Sequence, residues 1–295
     1  MKVTEYERLL VYEPGYSPAF VRDTLEREQL NGLAVQALLP GEVPNDLAFL
    51  RDFSFLTHLA INAIPVEDFD YGVLSELGNL LYFTLNVPLS KPAKPRPLDL
   101  GHLARLRSLA LTWRDGVTGF DQLTELERLR LIEFRGEDLR LIASEKKLIE
   151  LVLKTSSIRS VSGIEAHRGL ETVLFGACSR LRELEALSTL HRLQKLTLTS
   201  CRRLTQIDAL SALHRLTELE MTDCPRLESI RPISGLRLER LSIGGTTDIA
   251  DGDILPAAGA RELFYRPRAH YNARLPTPQQ DALVEQNRRK ILGLA

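Results

Sequence analysis

Leu193-Gln194-Lys195-Leu196-Thr197-Leu198, Leu216-Thr217-Glu218-Leu219-Glu220-Met221 and Leu238-Glu239-Arg240-Leu241-Ser242-Ile243 are one apolar signature, Leu-x-x-Leu-x-Leu, returning at a nearly constant interval. Two further clear copies start at Leu126 and Leu148. Weaker copies extend the series both ways, at Leu30, Leu56, Leu80, Leu106, Leu170 and Ala260, so that the signature occurs eleven times between Leu30 and Tyr265. A period of roughly 20–29 residues with this spacing marks a repeat architecture. Within each copy the fourth and sixth residues are apolar and the fifth is usually not, which is the period-two alternation of a strand with one buried face. A unit this short cannot bury its own apolar side. Its neighbours must stack against it, and stability becomes collective.

The remainder of each repeat steps by three. After Leu198 the apolar positions are Cys201, Leu204, Ile207, Leu210 and Leu213, and the copy starting at Leu148 continues Leu153-x-x-Ser156-x-Ile158-x-x-Val161-x-x-Ile164. A step of three suits tight 3₁₀ turns better than a long α-helix. This run resembles the short repeat of the protein phosphatase-1 regulator and of bacterial leucine-rich repeat proteins. The resemblance implies an α/β solenoid, curved, with a parallel concave sheet, short turns on the convex side and helical caps, which binds another protein with its concave face.

Residues 1–29 lie upstream of the first signature and read as an N-terminal cap. Ser17-Pro18 is an N-cap and first-turn proline ahead of a helix over 19–29, placed to cover the first open edge. Residues 30–266 form the solenoid, preferred as one elongated domain, and 267–295 hold a C-terminal capping helix introduced by Thr277-Pro278-Gln279-Gln280. The segment Pro88–Pro97, with Pro88, Pro92, Pro95 and Pro97, interrupts the repeat at Leu80 as a stiff outer-face loop.

Lys and Arg total 38 against 39 Asp and Glu, which excludes a general pull toward nucleic acid or anionic membrane. Met1–Arg8 has no apolar signal-peptide core, and no stretch approaches the roughly 20 apolar residues of a spanning helix, so a soluble cytoplasmic protein is expected. The three cysteines, Cys178, Cys201 and Cys224, fall in three successive repeats, each at the third position past the end of its strand signature. That is the inward slot where a weak thiol donor satisfies backbone groups as the chain leaves the strand. A structural metal wants four convergent ligands, and no histidine shares the column. His167-Arg168, His191-Arg192 and His214-Arg215 read as a solvated turn ridge. Gly244-Gly245 with Asp248, Asp251 and Asp253 lacks the ligand order of a calcium loop. Nucleotide-binding, metalloprotease and serine-hydrolase motifs are missing, so no cofactor, small-molecule substrate or catalytic residue is expected.

With positions four and six inward, positions three, five and seven face the concave side. Arg128, Arg130 and Ile132, then Glu150, Val152 and Lys154, then Leu174, compose an apolar patch rimmed by charge, with Trp113 at its edge and Tyr82 among the few aromatics. This is the composition of a protein-binding hot spot. Glu218, Glu220 and Asp223 form a second, acidic group suited to a basic partner. The function expected is a non-enzymatic protein-interaction module. An inhibitor of the antitoxin or immunity type is the alternative, and substrate recognition within an enzyme complex is a weaker one.

Overall fold

The computed structural model describes residues 3–4, 9–12, 15–37, 47–64, 68–88, 95–144 and 147–277. Where the sequence suggests one elongated domain, the chain's contacts separate into two compact units, Met1–Phe134 with Ser144–Leu148, and Arg135–Ala143 with Ile149–Ala295.

The first unit carries β1 (Val3–Thr4), β2 (Leu9–Tyr12), α1 (Pro18–Arg27), β3 (Gly32–Ala37), β4 (His58–Ala63), β5 (Tyr82–Asn86), β6 (Leu98–Asp99), β7 (Ser108–Thr112), β8 (Val117–Thr118) and β9 (Arg128–Ile132). Strands β2, β3, β4, β5, β7 and β9 pair in parallel, with Leu33, Leu59, Phe83, Leu109 and Leu129 in one row of the register. Strand β2 corrects the expected boundary, because Leu10 pairs with Leu33 and Tyr12 with Val35, so the ladder begins upstream of Leu30. Helix α1 occupies the turn side between two paired strands rather than covering an open edge, and β1 pairs antiparallel to β2 beyond it. The Ser17 Oγ accepts from Phe20 N at 3.3 Å, Pro18 begins the first turn, and Val21, Thr24 and Leu25 are buried.

The second unit carries β10 (Glu150–Lys154), β11 (Thr172–Gly176), β12 (Lys195–Thr199), β13 (Glu218–Thr222), β14 (Arg240–Gly244) and β15 (Glu262–Tyr265), all parallel and in register. Leu151, Val173, Leu196, Leu219, Leu241 and Leu263 form one inward row; Leu153, Phe175, Leu198, Met221, Ile243 and Tyr265 form the next, and both are buried. The returning chain is 3₁₀, at Ile164–Ala166, Glu185–Thr189, Asp208–Ala212, Arg231–Ile233 and Leu255–Gly259. Three residues per turn puts apolar positions spaced by three on one side. Leu204, Ile207, Leu210 and Leu213 accordingly all lie in the core.

At the exits of β9 and of β10 to β14 the chain turns inward sharply. Glu133, Thr155, Ala177, Ser200 and Asp223 all hold φ between 54° and 60°, and Gly245 follows with φ 60°. Non-glycine residues adopt this region at a cost of about 1 kcal/mol. The repeat geometry outweighs it. Past β15, residues 267–277 fold back on the last turn: Arg268 donates to Thr247 O at 2.9 Å, His270 Nε2 to Ile249 O at 3.0 Å, and Asn272 N to Gly252 O at 2.8 Å. The capping helix expected over 281–292 and residues 89–94 of the proline-rich loop lie outside the described residues. The described part of that loop runs on the turn side, where β6 pairs with β8.

Candidate functional site

In the first unit the parallel register aligns small side chains along one face of the sheet, buried at Val11 and Ala34 and partly open from Ala60 onward. Val11, Ala34, Ala60, Thr84, Ala110 and Arg130 form one column. Gln36, Asn62 and Asn86 run beside it as an amide ladder, and Thr112 Oγ1 donates to Asn86 Oδ1 at 3.1 Å. On the other flank stand Gly32, His58, Tyr82, Ser108 and Arg128. The His58 and Tyr82 rings stack at 4.3 Å with 9° between their planes, and the Thr57 hydroxyl lies 2.8 Å from His58 Nδ1. A trough of small side chains between an aromatic ridge and an amide ridge results. Arg128 and Arg130 are exposed beside Ile132, which is half-buried.

In the second unit the third-position column reads Glu150, Thr172, Lys195, Glu218, Arg240, Glu262. Its far end alternates in sign and pairs, Lys195 Nζ to Glu218 at 2.8 Å and Arg240 to Glu262 at 3.0 Å. The Lys195 hydrogen bond holds the Glu218 carboxyl below its ordinary range. The fifth-position column is Val152, Leu174, Thr197, Glu220, Ser242 and Phe264.

The expected patch therefore divides. Tyr82, Trp113, Arg128, Arg130 and Ile132 belong to the first unit, and Glu150, Val152, Lys154 and Leu174 to the second. Two of these residues are not where the sequence puts them. Val152 is only 5% exposed. Its isopropyl group is shorter than Glu150 and Lys154, its neighbours on the same face of the strand, and than Leu174, its register partner, so the longer groups screen it. Trp113 has left the sheet face: it meets Phe134 edge-on at 4.7 Å and lies 6.1 Å from Phe120, while its backbone N–H donates to Ile132 O at 2.7 Å. Both phenylalanines are buried, so the indole packs a strand exit.

The acidic group is likewise dispersed. Glu218 is engaged by Lys195, and Asp223 Oδ1 accepts from Thr246 N at 2.9 Å, capping the next turn. Glu220 remains exposed on the face, taking a bond from Thr222 Oγ1. In the histidine series, His191 and His214 are exposed as expected, but His167 is buried and donates from Nε2 to Ile142 O at 2.8 Å.

The cysteine column behaves as the spacing implies. Each thiol donates to a strand carbonyl of the preceding repeat: Cys178 to Leu153, Cys201 to Phe175 and Cys224 to Leu198, the last two at 3.5 Å. Burial pushes the Cys178 thiol up to about 11, and the Cys224 thiol together with burial raises Cys201 further. The sequence reading did not place Thr247 and Arg114 in this slot. Thr247, one repeat past Cys224, donates to Met221 O and accepts from Cys224 N, both at 3.1 Å. Arg114 fills the slot after β7 and reaches Asp68 with bonds of 2.6 and 2.7 Å, Tyr71 Oη at 2.6 Å and Val87 O at 3.2 Å. Asp68 also accepts from Arg96 N, which ties the end of the proline-rich loop to the repeat. Both charged side chains are essentially inaccessible. Desolvation raises the Tyr71 hydroxyl.

No model of a known protein family matches the chain, and no curated protein matches it by sequence. Among solved structures, an internalin of Listeria monocytogenes, internalin F, superposes with a TM-score of 0.50 at 17% identity, covering 77% of this chain and 72% of the internalin. The fold is the leucine-rich repeat. Internalin C2 of the same organism is similar over 56% of this chain and 81% of its own at 22% identity, with a TM-score of 0.40. The functional domain of internalin J is similar over 76% and 66% at 14% identity, with a TM-score of 0.42. No helix among the described residues is long and apolar enough to cross a membrane.

Proposed function

We propose that this leucine-rich repeat chain is a protein-interaction module and not an enzyme, docking a partner protein on the solvent face of the first unit's sheet. The observation that supports this most is the stacked His58–Tyr82 pair beside a column of small side chains, with Arg128, Arg130 and Ile132 two strands on. Aromatic and arginine side chains next to desolvable small groups are the residues that dominate binding energy at interfaces. The amide row supplies hydrogen-bond donors and acceptors on the opposite flank, which gives orientation more than affinity.

The test uses the chain as bait against lysate of its native host, followed by calorimetry with the purified partner. Tyr82→Ala with Arg130→Glu is expected to weaken that affinity at least about tenfold, as loss of hot-spot residues does. Asp52→Lys, on the 3₁₀ turn Ala48–Phe53, is the control and binds as the parent does. Circular dichroism checks that both fold. A partner that tolerates the double variant and is lost with a turn-side substitution removes the sheet face from consideration.

A further inference from the structure

In the second unit, Arg180, Arg203 and Arg226 recur once per repeat, each at the second position past a slot cysteine. The slots are pinned one repeat apart by Cys201 to Phe175 O and Cys224 to Leu198 O, so the three arginines leave equivalent points on successive strand exits, about 5 Å apart. All three are exposed, with Arg202 beside them. None has a side-chain partner among the described residues. The carboxylates nearest in sequence to Arg180 and Arg226 are engaged elsewhere, Asp223 with Thr246, Glu183 with Arg182 and Glu228 with Gln206, and Asp208, five residues past Arg203, begins the 3₁₀ turn Asp208–Ala212.

Like charges opposite one another in a ladder are destabilising. The same unit avoids this in its third-position column, where Lys195 meets Glu218 and Arg240 meets Glu262. An unpaired row of one sign, maintained over three repeats, is a surface awaiting opposite charge. We propose that this strand-exit row is a second docking surface, which takes an acidic segment of a partner protein with carboxylates one helical turn apart.

The spacing and the chemistry agree on that occupant. Carboxylates at i and i+4 on a helix are about 6 Å apart, close to the repeat rise, and each guanidinium offers a planar fork that fits a carboxylate with two bonds. Nucleic acid is disfavoured because single strands need stacking aromatics. Between residues 149 and 260 the one Phe, Tyr or Trp is Phe175, which is buried.

The arginine row belongs to the second unit and not to the first unit's sheet face, and it is tested without the partner. The probe is a fluorescein-labelled helical peptide bearing glutamates at every fourth position over three turns, with a glutamine version and a single-stranded oligonucleotide of equal charge for comparison. Fluorescence anisotropy is expected to show binding of the glutamate peptide alone, weakening as salt rises. The triple variant Arg180→Gln, Arg203→Gln, Arg226→Gln loses that binding about tenfold or more, as removal of close interfacial charge pairs does. Arg192→Gln, Arg215→Gln, Arg237→Gln, at the strand entries, leaves it within about twofold, the small change expected of charges outside the contact. Equal loss in both triples, no loss in the first, or no binding of the glutamate peptide overturns the proposal. So does an oligonucleotide that binds more tightly than the peptide and is abolished by the first triple.

Discussion

Arg114 shows how one residue can replace a repeat's usual chemistry. Cysteine or threonine in the exit slot makes modest bonds to nearby backbone groups, whereas Arg114 carries a full charge into the interior and needs Asp68 there. Removing one partner of such a pair leaves the other buried and uncompensated, so Arg114→Met should cost about 3–5 kcal/mol in urea denaturation. Adding Asp68→Asn should recover part of the loss, and a double variant worse than the single would refute the account. The cysteines carry a pH prediction. The native Cys178 thiol holds its proton up to about 11, while an unfolded thiol releases it near the ordinary value of 9.0, so stability contributed by the folded state is lost as pH rises between those values. Cys178→Ser should fall less steeply over that window in denaturation curves, and the parent's native thiols should resist a disulfide reagent at about pH 8 until the chain unfolds.

Within the strand-and-turn unit, the elements are legible because the apolar positions obey two periods, two in the strand and three in the turn. Leu196 and Leu219 face each other across adjacent strands, both at most 1% exposed. Either changed to Ala should leave a cavity costing about 2–5 kcal/mol, with hydrogen-exchange protection lost in the flanking strands as well. A melt matching the parent would show that the side chain is not in the core. Gly163 carries a different constraint. Its φ is +102°, and a Cβ there would lie 2.5 Å from Leu139 C and 2.6 Å from Arg140 N, both backbone. Gly163→Ala should destabilise by about 1–3 kcal/mol from φ strain alone, with more from the clash, whereas Gly235→Ala, with nothing near its Cβ, should change little. Strand β2 is not legible in the same way. Glu7 stands where the signature wants its first leucine, and only pairing of Leu10 with Leu33 identifies the strand.

Across the whole molecule, the order of residues is enough to establish the repeat, its register, the inward rows and the cysteine slot. Each of these depends on a periodic apolar pattern, and in a stack a residue's environment is set by its place in the repeat. Only folding decides which outward residues remain available. Val152 and Leu174 are equivalent by position, yet Val152 is buried and Leu174 is partly exposed, because screening depends on the lengths of the side chains that surround each. Glu218 and Glu220 lie on the same strand and are equally acidic, yet Lys195, one repeat earlier, is bonded to the first alone. Trp113 reads from the sequence as a rim residue, and it is Phe120 and Phe134 that receive it. Asp68 and Arg114 belong to no periodic row that marks them as a pair. Periodicity is a local property and can be read along the chain, whereas screening and charge pairing arise between residues that only the folded chain brings together.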